Sequence, residues 1–103
     1  MKKKIVILGS TGSIGKTLIN IIKKDKTKFE IVLLTADKNN NELIKQAKFL
    51  KVKNLIITDK KSFYDLKNSK FNKRFKIYND YKNLDKILEN KVDYVMNSIS
   101  GLD

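Results

Sequence analysis

With 103 residues, 41% of them hydrophobic, the chain is one small globular domain or part of one. It contains no cysteine, histidine, proline or tryptophan, which excludes disulfides, thiolate or imidazole metal sites and any catalytic His or Cys. The net charge of +12 comes from 22 lysines and a single arginine, a solvated lysine excess rather than the Arg-bearing surface of a nucleic-acid reader. No apolar run approaches the ~20 residues of a membrane span, and the apolar stretch after the N-terminal lysines is too short for a signal peptide. The expectation is cytoplasmic residence, with neither membrane nor nucleic acid as a partner.

Lys4–Leu8 is a continuous apolar run ending in glycine, the pattern of a buried parallel strand. Ile14, Leu18, Ile21 and Ile22 then recur at helical spacing and predict an amphipathic helix. Phe29–Ala36 is a second strand. Asn39 and Glu42 have the spacing of a capping box, and Leu43, Ala47 and Leu50 mark the helix it starts. Asn54–Thr58 is a third strand, Ser62–Leu66 a short helical turn, and Lys67–Lys76 a solvated loop leading into an edge strand, Phe75–Tyr78. Tyr81, Leu84, Ile87 and Leu88 mark the last helix, and Val92–Ile99 a fifth strand running into Ser100–Asp103. Strands alternating with helices predict an α/β fold, a doubly wound parallel sheet of about five strands in three α/β/α layers. The last strand should return beside the first, so that Gly9 and Asn97 flank a topological switch point where ligands sit.

The chemistry converges on Gly9-Ser10-Thr11-Gly12-Ser13-Ile14-Gly15, a glycine loop between a strand and a helix. Gly9 allows the turn out of the strand, Gly12 lets the backbone approach a pyrophosphate, and Gly15 lets the helix pack close to the sheet. Amides around Ser13 and Ile14 carry the positive end of the helix, and the hydroxyls of Ser10, Thr11 and Ser13 add donors. A rival reading takes Gly15-Lys16-Thr17 as the end of a P-loop and Leu55–Asp59 as the strand and aspartate that hold Mg²⁺ in an NTPase. Its glycine spacing fails, because Ser10 stands where that loop needs glycine. After the second strand, Asp37 would accept from a free ribose 2′-hydroxyl and favour NADH, whereas Lys38 and Asn39 would grip a 2′-phosphate and favour NADPH. The residues alone leave that choice open.

The stretch KKIVILGSTGSIG at 3–15 resembles the opening of the 1-deoxy-D-xylulose-5-phosphate reductoisomerase family. Phe29-Glu30-Ile31-Val32 is similar to the family's second strand, Ala36-Asp37-Lys38-Asn39 to its Ala-Gly-Lys-Asn turn, and Val92–Gly101 to its strand ending in Asn-Ala-Ile-Val-Gly. The resemblance spans essentially the whole chain but only the front of the family's protein. It implies a Rossmann-like NADPH-binding domain over residues 1–103, with the catalytic and C-terminal domains absent. By position, Thr11, Gly12, Ser13 and Ile14 should contact the pyrophosphate and nicotinamide side of NADPH, and Lys38 and Asn39 the 2′-phosphate. Asp37 departs from the family's glycine and should reach the cofactor only through its backbone, its side chain turned to solvent. The intact family enzyme, an oxidoreductase of non-mevalonate isoprenoid biosynthesis, isomerises and reduces 1-deoxy-D-xylulose 5-phosphate to 2-C-methyl-D-erythritol 4-phosphate. It works as a homodimer with Mg²⁺ or Mn²⁺. The metal ligands and catalytic residues are expected beyond Asp103, so none is assigned in this chain.

Overall fold

The computed structural model describes residues 2–82, 84–88 and 92–99. Strand β1, Lys3–Leu8, is an inner strand of the sheet, with Ile5, Val6 and Ile7 fully buried. A strand covered on both faces can carry an unbroken apolar run, and each such side chain contributes roughly 1.5–3 kcal/mol by leaving water. The other strands are β2 (Phe29–Ala36), β3 (Asn54–Ile57), β4 (Lys76–Tyr78) and β5 (Tyr94–Asn97). All neighbours are parallel, in the order β4-β3-β2-β1-β5. The fifth strand thus returns beside the first, as the sequence predicts.

Side-chain alternation divides the core into two layers. Ile5, Ile7, Leu34, Leu55 and Ile57 pack on one face of the sheet with residues of α1 (Ser13–Lys24), α2 (Asn40–Leu50) and α3 (Lys60–Lys67). Val6, Leu33 and Ile56 point to the other face, where they meet Ile87 of the single-turn helix α4, Leu84–Ile87. Between Ile5 and Val6 the register against β2 slips by one residue, so Ile5 pairs with Ile31 and Val6 with Leu33. That slip brings both Val32 and Leu33 to the α4 side.

The helices refine the predicted pattern. In α1 the buried stripe is Gly15, Ile19 and Ile22, with Leu18 packed against it. Ile14 and Ile21, predicted to face the core, are instead 60% and 57% exposed. The helix is rich in isoleucine on several sides, and the close seat of Gly15 decides which side turns inward. Asn39 caps α2, its Oδ1 accepting from the Glu42 N–H at 3.2 Å, and the helix ends where Lys51 turns left-handed at φ 58°. The third helix is longer than the predicted Ser62–Leu66 turn because Asp59 caps it from outside, accepting from the Ser62 N–H and hydroxyl at 3.0 and 2.9 Å.

Part of the predicted 67–76 loop is a 3₁₀ turn, Lys70–Lys73, started by Ser69, whose Oγ accepts from the Phe71 N–H. Phe75 is buried and Phe71 packs against the same core, so the rings interleaved with these lysines are structural. The last predicted helix shrinks to α4, and Tyr81 precedes it. The regular part of β5 is also shorter than Val92–Ile99. Beyond its ends single bonds continue the pairing, from the Asp93 N–H to the Lys4 carbonyl and from the Ser98 N–H to the Leu8 carbonyl, both within 2.9 Å. Ser100–Asp103 lie outside the described residues. Among the described residues no helix is long and apolar enough to cross a membrane.

Candidate functional site

The carboxyl ends of β1, β2 and β3 open into a cleft of about 610 Å³. Its first wall is the glycine loop. Gly9 turns out of β1 at φ +74°, a conformation costly for any residue with a Cβ. Its N–H donates to Thr35 Oγ1 at 2.8 Å, and the Ser10 N–H donates to the Thr35 carbonyl at 2.8 Å. Thr35 thus anchors the start of the loop to the end of β2. From the far side, Gln46 Nε2 donates to the Ser10 carbonyl at 2.9 Å.

These anchors correct two expectations. The Ser10 hydroxyl is fully buried and faces the Thr35 carbonyl at 3.4 Å, so it braces the loop and is no ligand donor. Gly15 is required by the loop rather than the sheet, since a Cβ there would lie 2.3 Å from the Gly9 carbonyl oxygen and 2.6 Å from Ser10.

Gly12 stands at the N-cap of α1 in an extended conformation and, lacking a side chain, supplies no cap hydrogen bond. The first amides of the helix therefore keep no side-chain partner at their cap, with the helix dipole behind them. That donor set suits an anion. Thr11 and Gly12 line the cleft, whereas Ser13 and Ile14 open α1 outside that lining with exposed side chains.

Asp37, Lys38 and Asn39 form the opposite wall, joined by Thr58, just past the end of β3, and by Tyr81. Asp37 is exposed but tethered, its Oδ1 accepting from the Thr58 hydroxyl at 2.7 Å. Asn39 Oδ1 is committed to the α2 cap, so Nδ2 is the end of that amide with donors to offer. The Lys38 ammonium is exposed and acts on Asp59 as well. The Ser62 amide and hydroxyl, then the charges of Lys38 and Lys61, hold the Asp59 carboxyl below the usual range. Five of the seven predicted site residues thus line one cleft. Tyr81 is a cleft residue that sequence reasoning missed. Its hydroxyl donates to Thr35 Oγ1 at 3.2 Å, and the apolar spacing that placed it on a helix hid that role.

The P-loop reading fails on geometry. The Thr17 hydroxyl, which would have to face a metal, donates back to the Ser13 carbonyl at 3.0 Å within the helix. Asp59 is occupied in capping α3. A second cleft, of about 580 Å³, lies at the amino ends of the strands between Lys2, Lys26, Phe49 and Lys53. Among the described residues no helix N-terminus lines it, and ligands of open parallel sheets bind at the carboxyl ends.

A family model for 1-deoxy-D-xylulose 5-phosphate reductoisomerase matches residues 5–103. The chain belongs to the 1-deoxy-D-xylulose 5-phosphate reductoisomerase family. The reductoisomerase of Pelagibacter ubique (strain HTCC1062) is 50% identical over 103 residues, covering 98% of this chain and 26% of the relative. That of Phocaeicola vulgatus is 32% identical over 102 residues, covering 98% of this chain and 27% of its own length. The chain therefore spans about a quarter of the curated reductoisomerases it matches. Among solved structures, the Zymomonas mobilis reductoisomerase in complex with NADPH superposes with a TM-score of 0.82 at 25% identity, over 96% of this chain and 26% of that one. A reductoisomerase in complex with NADPH, fosmidomycin and magnesium superposes at 0.80 and 24% identity, over 94% and 24%, a likeness of fold. The Rossmann-like architecture expected of the family is the one observed.

Proposed function

We propose that the cleft binds NADPH and that the chain is the N-terminal cofactor domain of a reductoisomerase. The whole enzyme would isomerise and reduce 1-deoxy-D-xylulose 5-phosphate to 2-C-methyl-D-erythritol 4-phosphate. One observation carries the reading: the glycine loop, with the amino end of α1 behind it, and the Asp37–Asn39 turn face each other across one cleft at the switch point. A pyrophosphate on the first wall and an adenosine ribose at the second are the two ends of a dinucleotide's polar chain. The NADPH in the Zymomonas mobilis structure, which shares this fold, supports the same ligand.

The residues present fit that cofactor. Gly12 allows backbone contact with the pyrophosphate, the amides of Ser13 and Ile14 would donate to it, and Thr11 adds a hydroxyl. Lys38 and Asn39 Nδ2 would hold the 2′-phosphate. When bound, NADPH supplies the hydride for reduction, while this chain binds and orients it. The Mg²⁺ or Mn²⁺ of the whole enzyme belongs to the same reading, with its ligands outside this chain. A phosphosugar substrate, a homodimer and a cytoplasmic location belong to the same reading.

The experiment is a titration of the purified protein with NADPH and with ATP–Mg²⁺, alongside Gly12→Val. NADPH should bind the wild-type chain and fail to bind the variant, whose side chain would stand where the pyrophosphate meets the backbone. Tighter binding of ATP, dependent on Lys16, would overturn the reading.

A further inference from the structure

Asp37 is the cleft residue least suited to a 2′-phosphate. Its carboxylate matches a free ribose hydroxyl, which can donate to it, and repels a phosphate. Yet the structure holds one oxygen of that carboxylate, because the Thr58 hydroxyl donates to Oδ1 at 2.7 Å. The backbone fixes the pair. Beyond the last ladder partners, Ala36 and Ile57, the Thr58 N–H donates to the Ala36 carbonyl at 3.1 Å and the Asp59 N–H to the Asp37 carbonyl at 3.0 Å. Both side chains therefore leave from strand ends already bonded together, and a threonine has few rotamers to choose from.

We propose that Thr58 is a specificity-determining residue. Its hydroxyl ties the Asp37 carboxylate to the end of β3 and leaves the phosphate end of the cleft to Lys38 and Asn39. The inference rests on the dinucleotide reading above and deepens it. With Oδ1 held at the end of β3, Asp37 turns its carboxylate fully to a ribose hydroxyl only by straining or giving up the Thr58 bond, whereas NADPH binds with the tether in place. Specificity is a difference between two affinities, so a bond that restrains the acceptor of one ligand alone shifts the ratio.

The test is the ratio of NADPH to NADH affinity, measured by nucleotide fluorescence on the wild-type protein, Thr58→Val, Thr58→Ser, Asp37→Ala and the Thr58→Val/Asp37→Ala double variant. Thr58→Val keeps the shape and removes the donor. It should lower the ratio about tenfold, the scale of one hydrogen bond to a charged group at an exposed site. Thr58→Ser should restore the ratio, and in the Asp37→Ala background the valine should change nothing. General loss of folding weakens both cofactors alike and leaves the ratio unmoved. An unchanged ratio in Thr58→Val, or an equal change with Asp37 absent, overturns the inference while the dinucleotide reading stands. Failure of the wild-type protein to bind either dinucleotide overturns both.

Discussion

Gln46 Nε2 reaches the Ser10 carbonyl across 36 residues of sequence, joining the middle of α2 to the loop that leaves β1. Because Asn39 caps α2, one helix both carries a cleft residue at its cap and braces the facing wall at its second turn. The spacing between the two walls is thereby tied to a single rigid element.

Replacing Gln46 with leucine should show this. The Ser10 carbonyl would lose its buried donor, a loss of about 1–3 kcal/mol when a buried partner is removed. Gln46 Oε1 has no hydrogen-bond partner among the described residues, and removing it offsets part of that cost. A net destabilisation of about 1 kcal/mol is expected in chemical denaturation. NADPH affinity should fall further than this small loss of folded protein accounts for.

Gly15→Ala tests the close seat of α1. Alanine improves helix propensity by about 1 kcal/mol. The new methyl would meet the Gly9 carbonyl oxygen at 2.3 Å, however, and backbone there has to move. Overpacking of this kind typically costs about 1–3 kcal/mol, so the variant should melt lower despite the better helix former. A higher melting temperature would show that the loop has room.

These residues also mark what the sequence discloses and what it hides. The glycine loop is legible because backbone geometry restricts Gly9 and Gly15 to one residue type, and such restrictions survive in one dimension. Strand order follows from alternating elements and handed crossovers. The inward face of α1 is not legible, since Ile14 and Ile21 are as apolar as Ile19 and Ile22. Gln46 gives only a faint signal, a polar residue beside Leu43 and Ala47 on the buried stripe. The tether between Asp37 and Thr58 leaves none, because it depends on the register between β2 and β3.

Lys38→Ala should weaken NADPH by up to about fivefold, the scale expected of one exposed charge pair, and leave NADH nearly unchanged. Because the site is open to solvent, the loss should shrink as salt rises toward the ionic strength at which the screening length is only a few ångströms. Equal weakening of both cofactors would show that Lys38 does not read the phosphate.

Acid should act on the start of α3. The Asp59 carboxyl is held below its ordinary range first by the Ser62 amide, then by the Ser62 hydroxyl and the nearby lysines. A carboxyl depressed in the folded state stabilises the fold fully above its unfolded pKa, about 4, and that contribution disappears as pH falls through the lower folded value. Melting temperature should therefore drop below pH 4 more steeply in the wild-type protein than in Asp59→Asn, whose amide oxygen still caps the helix without titrating. Parallel curves would remove Asp59 from the acid response.

The reversal of winding at β1 also bears on the order in which the molecule assembles. Strands β1 to β4 come together through successive crossovers between sequence neighbours, each closing a short stretch of chain. The seam between β1 and β5 joins residues such as Leu8 and Ser98, which are 90 positions apart. Closure of so long a loop costs more chain entropy, so the seam is expected to form late in folding. Ile99, which packs against Gly9 at the back of the cleft, arrives with that seam. The cleft should thus be among the last parts to be completed, and a dinucleotide that recognises it would act as a latch on the final strand, stabilising the finished sheet.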